Sequence, residues 1–262
     1  MNTFKYFSIS VFVFSLFFPL RIMGNNNITA KEIVNNVDKN MVANSIQHRS
    51  KMIIHQSRRI DEKEMLSFAL SIDTSFAIFL NPSRDRDTKY LKLGDNLWMY
   101  LPSVEKVIKI AGHMLRQSMM GSDFSYEDTL EYSKLITHYE PEIIGEEVID
   151  GRECYILQLT AILHDVTYYM RKIWVDKERF IVLKSELYAK SGKLLKLMTV
   201  LKVEKYGDRF YPTHVVMENK LRKDTKTEMV TSDIKFNVAI PEELFSIRNL
   251  NRNIKFLESF FY

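Results

Sequence analysis

At 262 residues, with 46% hydrophobic and 27% charged side chains, the chain has the apolar content of a folded protein and the length of one β-rich domain. No Pro-, Gly- or Ser-rich linker divides it. The net charge of +4 is spread through every segment, which gives weak attraction to anionic membrane surfaces and argues against the clustered footprint of a nucleic-acid binder.

Lys5, an apolar run over residues 7–20, Arg21 and Gly24 stand in the order of a secretory signal peptide. The run is shorter than the ~20 residues of a bilayer-spanning helix. Residues 1–24 are therefore expected to be a removed signal, residues 25–250 one domain, and residues 251–262 a C-terminal tail packed on it. The single cysteine, Cys154, is far from the signal and reads as a small buried strand residue.

Thr29-Ala30-Lys31-Glu32 has the form of a capping box, and Ile33, Val34, Val37 and Met41 follow at helical spacing. A short amphipathic helix is predicted there, lying over an apolar opening. Six runs rich in β-branched and aromatic residues come next, at 46–56, 64–72, 75–80, 89–93, 97–101 and 105–110. Longer ones follow at 153–161, 168–175, 180–189, 193–205, 210–221 and 227–236. Gly94, Gly151, Gly192 and Gly207 fall between runs, so consecutive hairpins should form a meander. Alternation assigns the faces: Leu195, Leu197 and Leu201 oppose Lys196 and Lys202, while Ile181, Leu183 and Leu187 oppose Lys184 and Glu186. A sheet of about a dozen strands with one greasy face must curl to hide it, around packed side chains or a cavity.

The segment between these two halves carries a family resemblance. Trp98-Met99-Tyr100-Leu101-Pro102 and Met120-Gly121-Ser122-Asp123-Phe124-Ser125-Tyr126-Glu127-Asp128 resemble the LolA-like outer-membrane lipoprotein-sorting family, with weaker matches at 150–151, 174–177, 190–193 and 227–245. The resemblance implies a mainly β fold with few helices, an unclosed antiparallel β-barrel whose helices cover an apolar cavity for lipid tails. It further implies a periplasmic carrier, or chaperone, that moves lipoprotein acyl chains from the inner toward the outer membrane. Partners implied in the same way are lipoprotein acyl chains or phospholipid, an inner-membrane ABC transporter and an outer-membrane acceptor. In the founding branch an arginine on an early strand gates the cavity; Arg49, Arg58 and Arg59 lie in that region, and the role is assigned to none of them.

On this reading the lipid-binding wall comprises Leu195, Leu197, Leu201, Ile181, Leu183 and Leu187 with Trp98 and Tyr100, although two-sided apolarity also suits Trp98 and Tyr100 to structural packing. Met119, Met120, Phe124 and Tyr126 are expected at the mouth, either as a lid touching acyl chains or as a core plug, ahead of a short helix capped by Ser122 or Ser125. At roughly 0.8 kcal/mol per buried methylene, a long acyl chain gains on the order of 10 kcal/mol on leaving water, so release is harder than capture.

No hydrolase elbow, metalloprotease helix, Cys pair or phosphate loop is present in the sequence, and no enzyme, cofactor or metal is expected. The six histidines read as a scatter, and Asp85-Arg86-Asp87 as a solvated turn. Two other classes stay open: a lipid or protein sensor of the same fold without a transport role, and an integral outer-membrane barrel, which the charged strand faces disfavour.

Overall fold

The computed structural model describes residues 28–41, 43–131, 135–164 and 166–259. The expected signal segment lies outside them. Six strands form the first half of the sheet: β1 (Ile46–Gln56), β2 (Arg59–Ser71), β3 (Thr74–Asn81), β4 (Lys89–Leu93), β5 (Asn96–Leu101) and β6 (Lys106–Ile110). Seven form the second: β7 (Tyr139–Ile149), β8 (Arg152–Ala161), β9 (Met170–Asp176), β10 (Val182–Tyr188), β11 (Leu194–Tyr206), β12 (Arg209–Asn219) and β13 (Lys226–Phe236). All belong to one antiparallel sheet ordered β6-β5-β4-β3-β2-β1-β13-β12-β11-β10-β9-β8-β7. The meander expected from the alternating runs is therefore present, joined in its middle by β1 and β13. Its turns use positive φ where a Cβ would be strained, at +76° for Gly151 and +79° for Gly192.

β6 and β7 do not pair with each other among the described residues, so the barrel stays open. The strand β7 was not anticipated. Its sequence, Tyr-Glu-Pro-Glu-Ile-Ile-Gly-Glu-Glu-Val-Ile, holds a proline, a glycine and four glutamates. Those residues are depleted in central strands and suit an edge, where charge and a missing N–H discourage pairing with another chain.

Helix α1 (Ala30–Met41) starts on the predicted capping box. The Glu32 amide donates to Thr29 Oγ1 at 3.2 Å, and the Thr29 amide donates to Glu32 Oε2 at 2.8 Å. The helix buries Ile33, Val34 and Val37 against Tyr139, Leu157, Leu159, Ile173 and Val175. At roughly 1.5–3 kcal/mol per fully buried aliphatic side chain, these three contacts hold it to the second half of the sheet. Two short helices, α2 (Tyr126–Glu131) and α3 (Leu135–His138), lie in the connection between the two sheet edges.

On β5 the alternation separates two cores. Leu97 and Met99 join Met65, Phe79, Met119 and Tyr126 on one face. Trp98 and Tyr100 pack on the other, where Leu66, Phe68, Phe76 and Leu91 meet Leu244, Leu250, Ile254 and Leu257 of the C-terminal segment, the last of these in α4 (Lys255–Glu258). Buried Lys89 donates to the Arg252 carbonyl at 2.7 Å and so ties that segment to β4. Asp85, expected in a solvated turn, instead pairs with the buried Lys63 ammonium.

Candidate functional site

The sheet, α1 and the α2 connection enclose a cavity of about 390 Å³, within the range of small-molecule sites. Most of its wall is apolar: Met65, Phe79 and Leu97 from the first half, Ile173, Leu187, Met198, Val215 and Met217 from the second. Val37 and Met41 of α1 also reach it. Such a surface gives hydrocarbon a place out of water, and its thioethers adapt to irregular chains.

Of the residues expected on the wall, Ile181 and Leu187 line the cavity. Leu183 is buried beside Cys154, Trp174 and Val200 and is not among the lining residues. Trp98 and Tyr100 are turned to the opposite core, under the C-terminal segment. Leu195, Leu197 and Leu201 also stand away from the cavity, and Leu201 is 57% exposed. The phase of β11 is inverted relative to the expectation. Lys196 and Val200 are its buried residues, and Met198 between them lines the cavity.

A compensated charge lies behind that inversion. Lys196 points inward because it is compensated there: its ammonium donates to Asp128 Oδ2 at 2.5 Å and to Ser125 Oγ at 3.1 Å. Beyond the inverted stretch, the pairing with β12 shifts register between Val200 and Val203, so one two-residue period is not carried through the whole strand.

At the mouth, Met119 and Phe124 line the cavity, Met120 packs beside them, and Tyr126 is buried against Tyr90 with ring centroids 5.9 Å apart. This loop is clamped. The Met119 amide donates to the Phe124 carbonyl at 2.8 Å. Asp123, fully buried, accepts from Thr225 Oγ1 at 2.7 Å and Thr227 Oγ1 at 2.8 Å. Ser122 uses its hydroxyl inside the loop, donating to the Met119 carbonyl at 2.7 Å. The α2 start is closed instead by Asp128, which accepts the Ser125 N–H at 2.6 Å. Arg49, in the region of the gating arginine, pairs with Glu64 at 3.3 Å and is not a lining residue.

The wall also carries polar groups that sequence reasoning missed. Arg171 sits 4.8 Å from the Tyr139 ring centroid and 5.3 Å from that of Tyr168. Lys92 donates to the Leu130 carbonyl of α2 at 3.2 Å. Ser50 links His48 Nδ1, at 3.1 Å, to Thr231 Oγ1, at 3.3 Å. Alternation places Ser185 in phase with Leu183 and Leu187, and Arg171 in phase with Ile173 and Val175, but no local pattern signals that a charged side chain in such a position stays inside.

Burial pushes the His48 imidazole down from 6.5 to about 4, against an opposing bond with the Arg49 backbone. It is therefore neutral at neutral pH. The unfolded chain takes up this proton first, so the stability gained from a neutral His48 is complete above about pH 6.5 and declines as pH falls toward about 4. At 1.36 kcal/mol per pKa unit the decline is at most about 3 kcal/mol. Urea unfolding across this window should show a His48→Gln variant with a flatter pH dependence than the parent; parallel curves would refute the assignment.

An unclosed β-barrel with helices over an internal cavity defines the LolA-like class of fold. A family model whose description reads "-like: Uncharacterized protein" matches residues 72–252, more than half of the chain, and the chain belongs to that family. The fold is similar to three solved structures. A DUF1329 family protein from Desulfovibrio piger is 23% identical with a TM-score of 0.79, over 84% of this chain and 97% of that one. A domain from Vibrio parahaemolyticus, proposed in its description to sort outer membrane lipoproteins, is 24% identical with a TM-score of 0.78, over 85% and 98%. A LolA superfamily protein from Nitrosomonas europaea is 23% identical with a TM-score of 0.71, over 84% and 99%. Among curated proteins none matches the chain.

Proposed function

We propose that this protein is a periplasmic carrier that holds the acyl chains of lipoproteins in its cavity and moves them from the inner toward the outer membrane. The observation that carries the reading is the cavity itself, apolar on most of its wall and built into a LolA-like barrel. A tightly filled core needs no such space, because interiors pack to the density of organic crystals. The Vibrio parahaemolyticus domain, proposed to sort outer membrane lipoproteins, supports the cargo class. The signal-like segment at residues 1–24 supports the compartment. Binding needs no catalytic group. An inner-membrane ABC transporter would load the cargo and an outer-membrane acceptor would receive it, since hydrocarbon held this strongly needs an energy source or a second site to leave.

The test is to purify the full chain from its native envelope and identify bound molecules by mass spectrometry, alongside withdrawal of a labelled lipoprotein from inner-membrane vesicles. Acyl-bearing cargo and transfer to outer-membrane vesicles are expected. A protein that carries no lipid and withdraws none sinks the proposal.

A further inference from the structure

The hydroxyl of Ser185 is one of several on the cavity wall without a partner among the described residues. Ser185 is 4% exposed and lines the cavity from β10. Its ladder neighbours are Ile173 on β9 and Met198 on β11, both apolar and both lining the same cavity. Its side chain meets no hydrogen-bond partner among the described residues. The Ser185 hydroxyl is not sealed from solvent but opens onto the cavity, where a ligand can reach it. Ser67 on β2 and Ser75 on β3 also line the cavity without a bond to any described residue. Ser67 stands opposite His48 in the β1–β2 ladder, so these hydroxyls extend the polar seam of His48, Ser50 and Thr231.

The charged lining groups face other partners. Asp128 accepts from Lys196 and Tyr168, Lys92 donates to carbonyls of α2, and Arg171 stacks on two tyrosines. Beside these charged groups the wall presents hydroxyls, which donate through O–H.

We propose that the cavity takes an acyl lipid together with its carboxylic ester or amide linkage, whose carbonyl oxygen accepts a hydrogen bond from the Ser185 hydroxyl. This rests on reading the cavity as an acyl-chain site, and it adds that recognition reaches past the hydrocarbon to the carbonyl. A bare hydrocarbon, or an ether-linked lipid with the same chains, leaves Ser185 unbonded and binds less well. Ser67 and Ser75 offer the same bond to a second linkage from the opposite half of the sheet.

The full chain is titrated with a diacyl phosphatidylcholine and with its dialkyl-ether counterpart of equal chain length, each displacing the apolar fluorophore N-phenylnaphthylamine. The ester lipid should bind about three- to tenfold more tightly, the size of one neutral hydrogen bond. Ser185→Ala should abolish that preference with ether-lipid affinity unchanged, and Ser185→Thr should keep it. Equal affinities in the parent protein overturn the proposal, as does a preference that survives in Ser185→Ala. If neither lipid displaces the fluorophore, the acyl-chain reading itself fails, which is a different outcome. Should Ser185→Ala not fold, the parent comparison decides alone.

Discussion

Lys196→Met is expected to destabilise the protein by about 3–5 kcal/mol, because it leaves the Asp128 carboxylate without its cation inside the barrel. The two side chains are 8% and 11% exposed, and their atoms are 2.5 Å apart. Asp128 also accepts from the Tyr168 hydroxyl at 2.7 Å and from the Ser125 N–H, so it cannot simply turn to water. Burial, with the Asp128 charge beside it, raises the Tyr168 phenol far above its ordinary value and keeps it a donor. The cluster has a structural purpose. The α2 connection runs between the two unpaired edges of the sheet, and Lys196 fixes it to β11 while Lys92 and Tyr90 fix it to β4. Asp128→Asn in the Lys196→Met background removes the stranded charge but retains a carbonyl for Tyr168. The double variant should therefore be more stable than Lys196→Met alone, as a double-mutant cycle read by urea unfolding would show. A Lys196→Met protein within about 0.5 kcal/mol of the parent would mean that the pair carries none of this.

Ala77→Trp should weaken lipid binding severely while leaving the fold intact. Ala77 lies on β3 among the lining residues, beside Phe79 and Tyr90. Its replacement projects an indole into open space rather than into a filled core, so the usual overpacking cost of about 1–3 kcal/mol is largely avoided. Displacing roughly 100 Å² of lipid contact, at about 25 cal/mol per Å², removes about 2.5 kcal/mol of affinity, or close to a hundredfold. Fluorophore displacement gives the affinity and thermal unfolding gives the control. Undiminished binding by a stably folded Ala77→Trp protein would place the lipid somewhere other than this cavity.

A leucine-to-aspartate substitution at Leu197, the obvious choice from alternation, would now report on the wrong face. The equivalent charge belongs at Leu187 or Met198, which line the cavity. The difference shows how far pattern reading extends. On β10 the odd residues are buried as alternation predicts, because Lys184 and Glu186 have nothing inside to compensate them and stay outside, paired with each other at 3.0 Å. On β11 the same rule fails, since Lys196 has Asp128 and Ser125 waiting from 68 and 71 residues away in the chain.

By itself the sequence determined the class of fold. Twelve of the thirteen strands, the capped first helix and the two-sided burial of β5 follow from turn residues, a capping box and period-two patterning, all of which act within a few residues. The tertiary structure alone decided which lysines are buried and that a glutamate-rich segment serves as the edge strand β7. These depend on partners brought together across the sheet. The energy of a buried charge or hydroxyl is set by the group opposite it in space, and no local pattern records that group.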